Sequence, residues 1–92
     1  MAGASWTFLT NHTRVLLCLA DEPDLRLREA AERIGITERA VQRIVTDLED
    51  AGIITRTREG RRNTYTINEN APLRHSSDAH ATIGDLLHAL RR

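Results

Sequence analysis

Four positions constrain what this chain can fold into more than anything else in it: Ala31, Gly35, Val41 and Ile44. In "LREAAERIG", Leu27, Ala30, Ala31 and Ile34 fall on one helical face. Gly35 then ends the helix, because glycine takes positive φ at little steric cost. Thr37 is a good N-cap for the next helix, which carries Val41, Ile44, Val45 and Leu48 at i, i+3, i+4 and i+7. It stops at "EDAG", with Gly52 as its cap. Two short helices therefore meet across a tight turn. Ala31 lies where they must approach, and a bulky side chain there would push the second helix away.

The rest of the chain has to complete a core around that pair. Residues 11–20, "NHTRVLLCLA", read as a helix capped by Thr10 or Asn11 and apolar nearly all round. Pro23 ends it, and "LRL" at 25–27 reads as a short extended piece. After Gly52 the period changes from helical to alternating. "IITRTRE" and "RNTYTI" are rich in β-branched residues and are joined by a glycine-containing turn, so they read as a β-hairpin. A polar linker with Pro72 follows. "AHATIGDLLHALRR" then puts Ile83, Leu86, Leu87 and Leu90 on one helical stripe, with Ser77 or Asp78 as cap and Arg91 and Arg92 suiting the C-terminal dipole. The expected class is mainly α with a small β-hairpin, in the order helix, short strand, helix, helix, hairpin, helix. Ninety-two residues make one small domain. Such a chain buries only about 60–65% of its unfolded surface, so a partner subunit is worth looking for. An intrachain disulfide is excluded, since Cys18 is the single cysteine.

Charge is balanced overall but sorted locally. Thirteen basic residues, all arginine, meet thirteen acidic ones. Zero net charge argues against an electrostatic binder of the histone kind. Yet "RTREGRRNTYTI" gathers Arg56, Arg58, Arg61 and Arg62 around Gly60, where mutual repulsion makes sense if the partner is a polyanion. Arg56 sits nearer the strand base and has a second option, pairing with Glu49, Asp50 or Glu59. Tyr65 and Ile67 are expected to anchor the hairpin to the core. The third helix is graded: Arg39, Gln42, Arg43 and Thr46 occupy its outward side towards the N-terminus, while Asp47, Glu49 and Asp50 crowd its end. No apolar run approaches the ~20 residues that span a bilayer. No basic, apolar leader opens the chain, and a lone thiol suits a reducing compartment, so a cytoplasmic protein without membrane contact is expected.

The spacing of Ala31, Gly35, Val41 and Ile44 resembles the helix-turn-helix of DNA-binding regulators. With the hairpin added, residues 11–67 look like a winged helix-turn-helix domain, and "GIITRTREGRRNTYTI" resembles the wing of the ArsR and MarR families of prokaryotic transcriptional regulators. The resemblance implies a sequence-specific regulator of double-stranded DNA, a homodimeric repressor reading a palindromic operator. The third helix would enter the major groove N-terminal end first. Arg39 and Arg43 can read guanine, Gln42 can read adenine, and Thr37 at the helix N-terminus can meet a phosphate. Glu38 can accept from cytosine N4 or pair with an arginine, and Thr46 is a further candidate contact. In the wing, Arg58, Arg61 and Arg62 would contact phosphates or enter the minor groove. On this reading residues 1–70 form the DNA-binding domain, and 71–92 form a linker and a dimerisation helix. The dimer interface would use Trp6, Phe8, Leu17, Ile83, Leu86, Leu87 and Leu90.

Other chemistry is poorly represented. No nucleophile elbow, phosphate loop or catalytic carboxylate pair is present, so no enzyme and no cofactor are expected. Some ArsR-type sensors bind zinc through Asp-x-His and a later histidine pair. Asp78 and His80 match the first element, but His88 alone follows them, with His75 as a spare, short of the three or four ligands zinc needs. Cys18 sits among leucines and reads as a structural thiol rather than a redox sensor. The rival reading is a winged-helix protein-interaction module that never touches DNA, since fold does not fix function. The sequence names no effector.

Overall fold

The computed structural model describes residues 5–91. The chain runs α1 (Asn11–Asp21), α2 (Leu27–Ile34), α3 (Glu38–Asp50), β1 (Ile54–Glu59), β2 (Arg62–Ile67) and α4 (Ile83–Leu90). Arg92, expected to face the dipole of the last helix, lies outside the described residues. The three N-terminal helices pack on one another, and the antiparallel hairpin closes one side of them. No helix among the described residues is long and apolar enough to cross a membrane.

The turn between α2 and α3 forms as the sequence dictates. Gly35 takes φ 85°, and the Ala31 carbonyl accepts from both the Gly35 and Ile36 amides at 2.8 and 3.1 Å. Ala31, Val41 and Ile44 are buried together with Val45 and Leu48. Thr37 caps α3 by accepting the Ala40 N–H at 3.0 Å. At the other end of α3, the Gly52 amide bonds Glu49 and the Ile53 amide bonds Leu48, a two-bond closure that turns the chain directly into β1. Ile53 and Leu48 are both buried where it turns.

The hairpin register pairs Ile54 with Ile67, Arg56 with Tyr65 and Glu59 with Arg62, leaving Gly60–Arg61 as a two-residue turn. Gly60 has φ 62°, and no non-glycine residue described has positive φ, a pattern matching a type II′ turn. The extended piece expected at 25–27 is shorter than a strand. Arg26 is extended, but Leu27 already opens α2, and only the Tyr65 N–H reaches back, to the Pro23 carbonyl at 2.9 Å. Proline offers no N–H to continue such a ladder. Among the described residues the sheet therefore has two strands.

The C-terminal helix starts later than its sequence pattern suggests. Neither Ser77 nor Asp78 caps it. Thr82 does, accepting the Asp85 N–H at 3.1 Å while Asp85 accepts the Thr82 N–H at 2.9 Å. This reciprocal pair satisfies two donors that a single serine would leave half-served. A bridge between Pro72 and Thr82 holds the preceding chain extended. The apolar stripe is also divided. Ile83 and Leu87 are 5% and 2% exposed, buried in the chain's own core, so they are not the open surface expected of an interface. The cause is that hydrogen bonds from Ile83 to Ala71 and from Gly84 to Glu69 draw the helix onto the segment leaving β2. Leu17 and Leu86 are half-buried. The exposed large apolar groups are Trp6, Phe8 and Leu90, and the first two rings pack edge to face at 5.0 Å.

Candidate nucleic-acid interface

Helix α3 is amphipathic in the plainest way. Val41, Ile44, Val45 and Leu48 go inward, and Glu38, Arg39, Gln42, Arg43 and Thr46 are exposed. Arg39 and Arg43 have no ion-pair partner among the described residues. The neighbouring polar groups are engaged only locally. Gln42 donates to Glu38 at 3.4 Å, and the Thr46 hydroxyl donates to the Gln42 carbonyl at 3.1 Å. The Thr37 oxygen is occupied as an acceptor, which leaves its hydroxyl proton to be donated elsewhere. The acidic end of α3 has a different fate. Asp47 Oδ2 lies 2.8 Å from His12 Nε2 on α1. Glu49 receives Arg56 Nη2 and Nε at 2.8 and 3.0 Å. These acids hold the helix in the domain, while its N-terminal arginines project from it.

The hairpin arginines divide by contact. Arg56 makes the two-pronged bond to Glu49, so of its two options the structure shows the internal one. The pleat explains why: Arg56 lies opposite buried Tyr65 and shares its face. Arg58 Nε donates to the Gly60 carbonyl at 3.1 Å and braces the turn. Arg62 Nη1 donates to Asp24 Oδ2 at 2.9 Å. Arg61, at the tip, is exposed and has no ion-pair partner among the described residues. Sequence reasoning missed the pair between Arg62 and Asp24, whose residues are 38 positions apart. It also missed Arg26, an exposed arginine beside the same strand. The adjacency of Arg26 to the extended piece before α2 was the available signal.

Residues 7–62 match the MarR family profile, more than half of the chain. The chain belongs to the MarR family. Members of this family are winged-helix, DNA-binding transcription regulators rather than enzymes. A MarR family protein of Mycobacterium tuberculosis, solved in complex with salicylic acid, is 31% identical, with a TM-score of 0.54 over 65% of this chain and 47% of that one. An uncharacterized protein of Methanocaldococcus jannaschii is 31% identical over 70 residues, 75% of this chain and 15% of that protein. The chain thus spans less than half the length of either. The resemblance to ArsR regulators finds no support, and the zinc pattern borrowed from them loses its basis. Among the described residues no three His, Cys, Asp or Glu side chains cluster as metal ligands, and Asp78, His80 and His88 are not brought together.

Two further sites complete the MarR-type domain. Cys18 is half-buried, and burial pushes its thiol above the usual range, opposed in part by Arg33. A cleft of about 430 Å³ opens where α1, the end of α3 and α4 meet. Leu16, Leu48, Ile53 and Leu86 form its apolar wall, and His12, Asp47, Asp50 and Arg74 are the charged or titratable groups on it.

Proposed function

We propose that this chain is a sequence-specific regulator of double-stranded DNA. It acts as a cytoplasmic homodimeric repressor on a palindromic operator, with α3 in the major groove and the hairpin as a wing. The observation that carries this reading is the outward row of Arg39, Gln42, Arg43 and Thr46. Its arginines are exposed and unpaired among the described residues, beside a hairpin tipped by Arg61. Arginine's fork suits guanine O6 and N7, and the acidic half of α3 is held back against the domain by His12 and Arg56. Dimerisation would use the exposed Trp6, Phe8 and Leu90, with Leu17 and Leu86 at the margin. Two copies then present two α3 helices to successive major grooves, about one turn apart.

Selection of bound sequences from a random duplex pool tests this reading. A palindromic motif is expected, with affinity falling steeply as salt rises. If no duplex is enriched at low salt, the chain is a protein-interaction module instead. The effector reading rests on the wide cleft: its apolar wall and the Arg74 guanidinium suit a small aromatic acid such as the salicylic acid held by the mycobacterial relative, its carboxylate turned to Arg74 and away from Asp47 and Asp50 on the same lining. Calorimetric titration with salicylate should show binding that Arg74→Ala abolishes.

A further inference from the structure

A second cleft, of about 320 Å³, lies between β2, the segment before α2 and the first turn of α3. Three arginines line it: Arg26, Arg61 and Arg62, together with Asp24 and Glu38, over buried Tyr65. Each carboxylate accepts a hydrogen bond, but only Asp24 is paired with a charge. Asp24 holds Arg62 at 2.9 Å, and Glu38 accepts from Gln42 at 3.4 Å. Arg26 and Arg61 are left facing one cleft with no acid of their own among the described residues. With three guanidiniums against two carboxylates, the cleft keeps a surplus positive charge for an added anion to meet.

We propose that this cleft binds one phosphate of the DNA backbone through Arg26, Arg61 and Arg62, and that Asp24 holds Arg62 in the phosphate's place until a duplex arrives. The inference rests on the DNA-binding reading above and adds a contact residue, Arg26, and an internal competitor, Asp24. The exchange is feasible in magnitude. The Arg62 and Asp24 side chains are 56% and 55% exposed, so water screens the pair. Such a pair shifts an equilibrium by at most about fivefold. A phosphate meeting three guanidiniums, with forked hydrogen bonds to match, outcompetes a single carboxylate meeting one. The cleft also lies between the wing and the N-terminal turn of α3, the two parts that would flank a groove edge.

Binding is read with the duplex enriched by the selection, titrated across a salt series. Arg26→Ala should weaken binding evenly across sequences and reduce the salt slope by about 1. Arg33→Ala, which removes the same charge from an arginine paired with Glu22 outside this cleft, should leave the slope unchanged. Asp24→Asn should tighten binding about twofold to fivefold by releasing Arg62. In an Arg62→Ala background that gain should shrink towards none. The inference is overturned if Arg26→Ala and Arg33→Ala behave alike, or if Asp24→Asn weakens binding. It is overturned too if the Asp24→Asn gain persists in full without Arg62, since Asp24 would then be only a repelling charge. Its failure is distinct from that of the parent reading. In the one case the wild-type protein binds duplex and these variants disobey; in the other the wild-type protein binds no duplex, and both fall.

Discussion

Helix α3 and the hairpin both present arginines, but they hold them differently. On α3, Arg39 and Arg43 stand unpaired among the described residues. On the hairpin, Arg56, Arg58 and Arg62 are each bonded to a group of the same chain, and Arg61 alone is bare. The difference separates two jobs that a count of charges merges. An unpaired arginine on a rigid helix has nothing to give up before it reads a base edge. A tethered arginine must exchange one acceptor for another, so its net gain is smaller, but its position is set beforehand. Four arginines in twelve residues are therefore one structural strut and three candidates for phosphate, of which Arg58 also braces the turn.

The sharpest way to break this comparison is to remove the hairpin's apolar anchor. Tyr65 is 3% exposed, and Tyr65→Ala should lower stability by about 3 kcal/mol, read from the urea midpoint. If the hairpin were held by its ion pairs instead, the loss would be far smaller. Next comes Arg39→Ala, which should cost about 1–3 kcal/mol of discrimination at one base position while binding of random duplex survives. A uniform loss across sequences would move Arg39 into the phosphate-binding group. Thr37→Ala removes the cap of α3 and should cost about 1 kcal/mol, a fall of about 4–8 °C in melting temperature. The smallest effect is expected from Arg56→Ala. Its pair with Glu49 is partly solvated, so stability should fall by about 1 kcal/mol or less, and the salt slope of duplex binding should not move. A reduced slope would return Arg56 to the DNA-facing set.

Local chemistry made most of the fold legible. Gly35 and Gly52 mark helix ends because positive φ is a property of the residue itself. The core face of α3 follows from its period, and the hairpin from β-branched alternation around Gly60. The start of α4 was misread because Ser77, Asp78 and Thr82 are all acceptable caps. What decides between them is Asp85, together with the bridge to Pro72. For the site, the outward row of α3 could be read from the helical period alone. Arg56 could also have been assigned, since strand alternation puts it with Tyr65. Arg62 could not, because its partner Asp24 comes near only when the chain before α2 closes against β2. The fate of Ile83 and Leu87 was hidden for the same reason: amphipathic period shows that a stripe will be covered, not by what.

The way α4 is fastened has a mechanical consequence. The Ile83 and Gly84 amides are tied to the carbonyls of Ala71 and Glu69, and a Cβ added at Gly84 would stand 3.0 Å from the Glu69 oxygen. The first turn of the helix is thus pinned to the segment leaving β2, with no room for a side chain between them. A pull on α4 is felt at the foot of the wing and also in the core that Ile83 and Leu87 share with α3. Leverage on this domain would reach the wing and the reading helix together.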